Sequence, residues 1–561
     1  MAKRTGARII AETLKGYGVS HVFYMEIILP TSLIEMERLG IRRIVTHSEK
    51  AAAYMADGYA RMSCRPGVCM AQSVGAANLA AGLQDAYLAH SPVIAVTGSK
   101  PPLFQQRNAY QEILHNPLYD GLTKYNAEVR TAEQLPVVLP QAFREATTVT
   151  PGPVHIDFLG LFGEFIEGAE CDLAAVVEPA YGQYPVWRPV ADEKAMGKAA
   201  EALVEAEKPV MIVGRGAVMS GAAEEVVGLA ERLSMPVAVS PDGNGVMADD
   251  HPLFIGPAGG YGRPSTNQIV PQADLVFFVG CGAGDQVTKN WSAPDQARRV
   301  VQLDIDPAEV GRNYPGALGL VGDAKSTLRA LLDRIDTSRE PGEWAGYARA
   351  VVGKWEQAVA PLLASGDRPV RPERLCNEIT ALLPENAVVV ADTGYSAIWS
   401  GTLIRFLYPE QVYLRSAGSL GWSLPAAIGA KCAAPERPVF CFCGDGALWY
   451  HLSELETASR WGIQVIVLVN NNSMLGQIAP FTKRAAKDHP EHNLDAAYRY
   501  RETNFARIAE EMGCFGIRVE EPGEIGRAIQ QALEQEKPAV VDVVTDGEAH
   551  PVIDMKLEVA G

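Results

Sequence analysis

The stretch CGDGALW, residues 443–449, directly follows the apolar run RPVFCF, residues 437–442. A short apolar run of this kind is typical of a buried β-strand. It leads into an acidic residue, Asp445, held between two glycines. A second apolar run, IQVIVLV, leads to three asparagines, and the last of them, Asn472, stands 27 residues after Asp445. Because parallel sheets bind ligands at the carboxyl ends of their strands, we expect the two polar ends to be neighbours.

These two strand ends offer ligands for a hard cation and for phosphate. Asp445 supplies a carboxylate, Asn472 supplies a side-chain carbonyl, and a backbone carbonyl near Met474 would complete the set. Mg²⁺ is usually held by few protein oxygens together with phosphate oxygens, and Ca²⁺ also takes oxygen ligands. Gly444 and Gly446 would let a diphosphate approach the backbone. The alternative is an ordinary glycine turn with a capping aspartate.

Apolar strands alternate with helices in three series along the chain. The first series includes GVCMAQ and GPVHIDF, the second KPVMIVGRG and ADLVFFVGCG, and the third NAVVVADTG and PAVVDVVTDG. Such alternation predicts parallel sheets that are covered by helices on both faces. We therefore predict an α/β fold of three doubly wound parallel-sheet domains, at residues 1–180, 190–340 and 365–561.

The composition argues against several classes of protein. The chain has 561 residues and a net charge of −17, and no basic patch dominates it, so we expect no nucleic-acid partner. The longest apolar runs are too short for a membrane span, and the N-terminal segment lacks the apolar core of a signal peptide. Nine cysteines without a CxxC spacing favour reduced thiols in a cytoplasmic enzyme. Cys441 and Cys443 alternate with phenylalanines in one strand, which favours core packing over metal binding.

The segment that runs from GDG to NNN closely resembles the motif of thiamin-diphosphate-dependent enzymes, and the likeness extends along nearly the whole chain. The order of the further segments is similar to that of the acetolactate synthase branch of this superfamily. They are SEKAAAYMADGYAR (48–61), QSVGAANLAAGLQDAY (72–87), AVTGSKP (95–101), AYQE (109–112), TPGPVHIDF (150–158), LDIDPAEVGRN (303–313) and GSLGWSLPAAIGAKCA (418–433). The resemblance implies a pyrimidine-binding, a central and a diphosphate-binding domain.

The resemblance implies that Glu49 hydrogen-bonds the pyrimidine N1′ of thiamin diphosphate. A largely buried glutamate keeps its proton more readily, and sharing that proton favours loss of the cofactor's C2 proton to give a reactive ylid. Taken alone, a glutamate that opens a helix is explained equally by attraction to the helix dipole. The resemblance also places Gln111 of AYQE opposite the reacting carbon.

Other site residues come from the same resemblance. Leu420 would hold the cofactor in its bent form, and Gly418 would accept a hydrogen bond from the 4′-amino group, although a leucine in an apolar run is usually plain core. Tyr395 and Ser396 stand where the family more often has Gln-His. The implied cofactor contacts are Glu49, Gly394, Tyr395, Ser396, Gly418, Leu420, Gly444, Asp445, Gly446, Ala447, Asn472, Met474, Leu475 and Gly476, with Asp445, Asn472 and Met474 also on the metal.

Two loops depart from the family pattern. HVFYMEIILP, residues 21–30, stands where relatives carry a glycine-rich turn, and QSVGAAN is one residue shorter than its counterpart. Glu26 is the one ionisable group of the first loop's centre. Placed out of water beside two isoleucines it would have a raised pKa and become a candidate acid or base in catalysis. The alternative is that Glu26 points to solvent, as lone carboxylates usually do.

The sequence thus predicts a Mg²⁺- and thiamin-diphosphate-dependent carboligase or lyase. It would act on a pyruvate-like 2-oxo acid through the ylid and an enamine, as acetolactate synthases do. A 2-oxo acid decarboxylase, a lyase of 2-hydroxyketones and a C–C hydrolase remain alternatives, and a non-catalytic subunit is a remote one. The resemblance implies a homodimer or homotetramer with active sites between subunits. FAD binding stays open, since VGRGAVMSG is not GxGxxG and VGCGAGDQVT lacks the arginine common in FAD-binding relatives.

Overall fold

The computed structural model describes residues 3–487, 492 and 494–557. It contains three sheets of six strands, and all neighbouring strands within them run parallel. The predicted α/β fold of three doubly wound sheets is confirmed, while the limits of the three predicted domains stay a prediction. No helix among the described residues is long and apolar enough to span a membrane.

The N-terminal domain surrounds a sheet whose middle strands are completely buried. Its elements are β1 (Arg4–Thr5), α1 (Gly6–Gly16), β2 (His21–Met25), α2 (Pro30–Arg38), β3 (Arg42–Val45), α3 (Glu49–Ser63), β4 (Gly67–Ala71), α4 (Gly75–Leu88), β5 (Val93–Ser99), α5 (Asn116–Tyr119), β6 (Tyr125–Val129), α6 (Leu135–Thr147), β7 (Val154–Leu159), α7 (Glu164–Glu167) and β8 (Glu170–Cys171). The strand order is β3-β2-β4-β5-β7-β6, and β1 pairs with β8 separately. Every residue of β4 and β5 is buried, because helices cover both faces.

The central domain has its own sheet. Its elements are α8 (Glu193–Glu205), β9 (Pro209–Val213), α9 (Arg215–Ser220), α10 (Ala223–Leu233), β10 (Val237–Val239), β11 (Phe254–Pro257), α11 (Pro264–Ile269), β12 (Leu275–Val279), α12 (Asp285–Thr288), β13 (Arg299–Asp304), β14 (Leu318–Val321) and α13 (Ala324–Arg334), followed by the long helix α14 (Glu343–Leu363). The strand order is β11-β10-β9-β12-β13-β14.

The C-terminal domain contains the GDG and NNN segments at the ends of two of its strands. Its elements are α15 (Pro372–Leu382), β15 (Val388–Ala391), α16 (Tyr395–Leu403), β16 (Val412–Arg415), α17 (Ser423–Ala433), β17 (Val439–Gly444), α18 (Asp445–Leu448), α19 (Glu454–Arg460), β18 (Ile466–Asn471), α20 (Ala479–Ala485), α21 (Phe505–Glu511), β19 (Phe515–Val519), α22 (Ile525–Leu533) and β20 (Ala539–Val544). The strand order is β16-β15-β17-β18-β20-β19. The neighbouring strands β17 and β18 bring the GDG and NNN ends together, as predicted.

The order of the strands fixes where each domain has a crevice for a ligand. Numbered within their own domains, the N- and C-terminal sheets share the order 2-1-3-4-6-5, whereas the central sheet has the order 3-2-1-4-5-6 of dinucleotide-binding folds. Ligands of such sheets bind where the chain reverses its direction of strand addition. These switch points lie between β2 and β4, between β9 and β12, and between β15 and β17.

Helices α3 and α17 join the N- and C-terminal domains through a close approach of their backbones. A β-carbon built on Gly58 would come within 2.1 Å of the carbonyl oxygen of Ala426, and one on Gly429 within 1.9 Å of that of Met55. Only glycine fits at either position. The buried residues of both domains form one continuous apolar cluster around this contact.

Candidate active site

Asp445 lies at the switch point of the C-terminal sheet, and one of its two carboxylate oxygens accepts no hydrogen bond from the described residues. Its side chain is buried, and its Oδ1 has no hydrogen-bond partner among the described residues. Burial raises the pKa of Asp445 to about 7, against the opposing effect of the backbone N–H groups of Gly446, Asn472 and Met474. The structure therefore brings Asp445, Asn472 and Met474 together. Met474 faces the carboxylate through its N–H, and the metal contact of its carbonyl stays a prediction.

The residues at this edge fit a divalent cation with a diphosphate. A buried carboxylate oxygen without a partner is costly unless something binds it. The described residues hold no group of three or more His, Cys, Asp or Glu that could bind a metal, so a cation would depend on Asp445, amide oxygens and phosphate. Such a mixed oxygen set is the one that Mg²⁺ prefers with phosphate ligands.

The other predicted diphosphate contacts converge on the same place. Gly394 has a φ of 69° and leads into α16, with Tyr395 half-buried and Ser396 buried. A β-carbon on Gly444 would lie 3.5 Å from Ser396 Oγ, and one on Gly476 3.4 Å from the Tyr395 ring. A β-carbon on Gly446 would lie 2.7 Å from Leu475 Cδ2, and Ala447 is buried beside it in α18.

Gly418 and Leu420 lie in the segment that joins β16 to α17. Gly418 is exposed and Leu420 is half-buried, packed against the apolar cluster that both domains share. The end of this segment is held by Asp392, a fully buried residue that follows β15. Its carboxylate accepts hydrogen bonds from the backbone N–H groups of Gly421, at 3.0 Å, and Ser423, at 2.9 Å. This role of Asp392 could not be predicted from the sequence, because a lone aspartate after a strand gives no sign of its partners.

Glu49 is the first residue of α3, which is capped by the hydroxyl of Ser48 accepting from Ala51 N–H at 3.1 Å. Asn78 Nδ2 donates to Glu49 Oε2 at 3.2 Å, and a β-carbon on Gly75 would lie 2.6 Å from Glu49 Oε1. Glu49 therefore lies against the start of α4. The expectation that it is largely buried is not met within one chain, where its side chain is half-buried because α4 covers one side only.

Glu26 and Gln111 both form hydrogen bonds with residues of the turn that precedes α4. Gln72 Nε2 donates to Glu26 Oε2 at 2.8 Å, and Ser73 Oγ donates to the carbonyl of Gln111 at 2.5 Å. Glu26 and Gln111 both have positive φ, of 57° and 59°. The turn thus gathers Glu26, Glu49 and Gln111 at the switch point between β2 and β4.

The environment of Glu26 agrees with the alternative that its side chain faces solvent. The side chain of Glu26 is exposed, Ile27 is 48% exposed, and only Ile28 is buried. The carboxylate of Glu26 nevertheless accepts a hydrogen bond from Gln72, a partner that the sequence did not indicate.

The two halves of the predicted site form no direct polar contact with each other within the described part of one chain. Among the described residues, no hydrogen bond or ion pair joins Glu26, Glu49 or Gln111 to the loops that carry Gly394 and Asp445. Large apolar side chains are exposed near both halves. They include Tyr110 at 75%, Leu114 at 70% and Phe481 at 63%.

The central domain has a cavity of about 620 Å³ at its own switch point. Gly214, Gly216 and Gly280 line it at the ends of β9 and β12. Arg215 also lines it, and its buried Nη2 has no hydrogen-bond partner among the described residues. Burial raises the pKa of Asp304, on the same wall, to about 6. The comparison with FAD-binding relatives concerned an arginine after β12, which this chain lacks. It gave no indication of Arg215, which follows β9.

Comparison with known proteins matches all three domains. Residues 4–118 match the N-terminal TPP binding domain of thiamine pyrophosphate enzymes, residues 196–331 their central domain and residues 392–543 their C-terminal TPP binding domain. Thiamine pyrophosphate is thiamin diphosphate under its other name.

Curated relatives cover almost the whole chain. A probable acetolactate synthase large subunit of Methanocaldococcus jannaschii is 31% identical over 98% of this chain and 93% of its own length. An acetolactate synthase of Arthrospira platensis is 30% identical over 98% and 96%. An acetolactate synthase large subunit of Haemophilus influenzae is 28% identical over 98% and 96%. The chain belongs to the thiamine pyrophosphate enzyme family, in the branch that resembles acetolactate synthases.

Proposed function

We propose that the protein is a thiamin-diphosphate- and Mg²⁺-dependent carboligase or lyase that acts on a pyruvate-like 2-oxo acid. The observation that carries the proposal is the buried, unpartnered Oδ1 of Asp445 beside Asn472, at the switch point of a domain that matches a TPP binding domain. The resemblance to acetolactate synthases over the full chain favours carboligation.

The chain's own residues would bind and orient the cofactor. Asp445 and Asn472 would hold the cation and so the diphosphate, with Gly394, Gly444 and Gly446 leaving room for the phosphate oxygens. Gly418 and Leu420 would face the aminopyrimidine from the C-terminal domain. When bound, thiamin diphosphate supplies a carbon nucleophile for a substrate carbonyl and accepts the electrons of the bond that breaks.

The N-terminal domain would contribute the proton-handling groups. Glu49 would hold a proton on its carboxylate at the pyrimidine ring, and Gln111 and Glu26 would lie on the substrate side. We propose that these groups act on a cofactor bound to a second copy of the chain. The lack of a hydrogen bond between the two halves among the described residues and the exposed apolar side chains near each support a homodimer or larger assembly.

Two finer proposals concern the remaining features. The central cavity, with its glycine turns and the Nη2 of Arg215 that has no partner among the described residues, suits an anionic ligand such as a nucleotide, of which FAD is one candidate. All nine cysteines are free, which favours a reducing, cytoplasmic location.

The altered loop at Glu26 keeps a second candidate function open. An exposed carboxylate, paired with Gln72, replaces the glycine-rich turn of relatives on the substrate side. This favours a different final step, such as simple decarboxylation, 2-hydroxyketone cleavage or C–C hydrolysis.

A substrate panel tests the proposal. The purified protein is incubated with Mg²⁺, thiamin diphosphate and a series of 2-oxo acids and 2-hydroxyketones, and CO₂ and carbon products are followed by NMR. Carboligation gives a product with a longer carbon skeleton, and decarboxylation gives the aldehyde alone. A protein that neither binds the cofactor nor turns over any of these compounds would instead be a non-catalytic subunit.

A further inference from the structure

The backbone of the segment that carries Gly418 and Leu420 is held by two buried carboxylates from different domains. Asp392 of the C-terminal domain accepts from the N–H groups of Gly421 and Ser423, at the end of the segment. The beginning of the segment is held instead by Asp85, which belongs to α4 of the N-terminal domain and has no exposed surface.

Asp85 binds the segment on both sides of Gly418. Its Oδ1 accepts from the N–H of Ala417 at 3.0 Å. Its Oδ2 accepts from the hydroxyl of Ser416 at 3.0 Å and from the N–H of Ser419 at 3.1 Å. The carboxylate of Asp85 therefore binds two residues before the exposed Gly418, Ser416 and Ala417, and one after it, Ser419.

Asp85 is itself held rigidly by a cluster of buried charges. Arg61 Nη2 donates to Asp85 Oδ1 at 2.6 Å, and Arg61 also donates to Asp57 and to the carbonyl of Arg415. Asp57 accepts from the indole N–H of Trp422 at 2.8 Å, at the far end of the segment. The side chains of Arg61, Asp57 and Asp85 are completely buried.

We propose that Asp85 is a positioning residue of the cofactor site. Through it, the N-terminal domain fixes Ser416–Ser419 in the conformation that presents Gly418 and Leu420 to the aminopyrimidine. The inference rests on the proposed function, because it assigns these two residues to the cofactor. A segment ordered in advance binds more tightly, since binding then costs little conformational entropy. Arg61 and Asp57 act through Asp85 and Trp422 and do not touch the cofactor.

The test uses Asp85→Asn in the full-length protein. The amide keeps the size of the side chain but removes the charge that binds Arg61 and turns a donor toward Ser416 or Ser419. We expect faster hydrogen exchange of the Ala417 and Ser419 amides in the cofactor-free protein, measured by mass spectrometry. We also expect the dissociation constant for thiamin diphosphate with Mg²⁺ to rise at least about tenfold, as when the partners of a ligating group are removed elsewhere.

Glu454→Gln is the matched control. Glu454 is another fully buried carboxylate at the same domain interface, where it accepts from the N–H of His47 at 3.0 Å and from the hydroxyl of Thr457 at 2.8 Å. It does not bind the segment at 416–419. Exchange of the Ala417 and Ser419 amides, and cofactor affinity, should therefore stay near wild-type values in this variant.

A milder variant covers the case in which Asp85→Asn does not fold. Ser416→Ala removes the hydroxyl that donates to Asp85 and that accepts from the N–H of Gly418, but it leaves the Asp85–Arg61 pair and the bonds of Asp85 to Ala417 and Ser419 intact. It should change both readouts in the same direction by a smaller amount. Unchanged exchange, exchange raised equally in Glu454→Gln, or raised exchange with unchanged cofactor affinity would each overturn the inference. A wild-type protein that binds no cofactor would overturn the proposed function itself, which separates the two failures.

Discussion

The side-chain amide of Gln72 donates a hydrogen bond to the carboxylate of Glu26 over 2.8 Å, across the switch point of the N-terminal sheet. Because an ionised carboxylate can only accept, this bond orients both side chains. Glu26 follows β2 and Gln72 follows β4, in the two loops that we predict from the sequence to depart from the pattern of acetolactate synthases. The contact therefore lies where the reaction of this chain would differ from that of its relatives.

Glu26→Gln should lower turnover of the true substrate by about 10²-fold or more if Glu26 transfers a proton. The amide can still accept from Gln72, so the loop should keep its conformation. Cofactor affinity and exchange of the cofactor's C2 proton should be unchanged, because Glu49 is intact. Rates are measured across the pH range, with Glu37→Gln on the exposed face of α2 as the control. Full turnover in Glu26→Gln at every pH would leave Glu26 with a role in shaping the pocket only.

Glu49→Gln should fold and bind the cofactor but lose C2 proton exchange and turnover by about 10²- to 10⁴-fold, since an amide cannot hold the proton at the pyrimidine. Asn78 can still contact the substituted side chain, so the start of α3 should be preserved. Exchange is followed by acid quench and NMR. Near-normal exchange in this variant would refute the assignment of Glu49.

Asp445→Ala should abolish Mg²⁺-dependent binding of thiamin diphosphate, because the diphosphate would lose the carboxylate that holds its cation. Titration calorimetry with Mg²⁺ should show an affinity lower by at least about two orders of magnitude. Asp367→Ala, at an exposed position, is the control. If Asp445→Ala bound the cofactor as well as the control, GDG would be only a turn.

The sequence allowed the fold and much of the site to be predicted, because both depend on local patterns. The strands β17 and β18 are apolar runs, and the polar groups at their ends meet because neighbouring parallel strands share an edge. The roles of Asp57, Arg61 and Asp85 could not be predicted. Charged residues on helices usually face solvent, and only the packing of α3 and α4 against the 416–422 segment encloses these three.

The exposure of the side chains near the site could not be predicted from the sequence either. The burial of Glu49 and Glu26 depends on the conformation of loops 25–29 and 72–75. Glu26 and Leu29 have left-handed backbone conformations but are not glycines, so the sequence does not indicate a turn at these positions. The partnership of Gln72 with Glu26 joins residues 46 positions apart. Neither a helical nor a strand repeat of apolar residues indicates a contact between two residues so far apart in the sequence.

The pH dependence of stability should reflect His451. Burial and the nearby charge of Lys50 lower the pKa of His451 to about 4, so the folded protein holds it neutral at pH 5. The unfolded chain takes up a proton near pH 6.5, which means that stability is full above that pH and falls as the pH drops toward 4. The loss amounts to at most about 1.4 kcal/mol per pH unit.

His451→Leu removes this titration and should lose less melting temperature between pH 7 and pH 5 than the wild type, as measured by scanning calorimetry. His550→Gln, at an exposed position, should follow the wild-type profile. Parallel profiles for wild type and His451→Leu would show that His451 is protonated with equal ease in the folded and unfolded states.

Gly429 lies where the backbones of α3 and α17 are in close contact. The β-carbon of Gly429→Ala would lie 1.9 Å from the carbonyl oxygen of Met55 and 2.7 Å from its carbonyl carbon, both backbone atoms that cannot rotate away. The helices must move apart, at a cost of about 1–3 kcal/mol, and the melting temperature should fall. Gly353→Ala, in α14 with no atom within 4 Å of its β-carbon, should be neutral or stabilising, because alanine favours a helix.

Gly429→Ala should also weaken cofactor binding. Helix α3 begins at Glu49, and α17 directly follows the segment of Gly418 and Leu420, so a separation of the two helices displaces both the proton-holding group and the residues proposed to face the aminopyrimidine. The dissociation constant for thiamin diphosphate should rise in Gly429→Ala and stay at the wild-type value in Gly353→Ala. A lower melting temperature with unchanged affinity would mean that the helix contact supports the fold alone and does not set the geometry of the site.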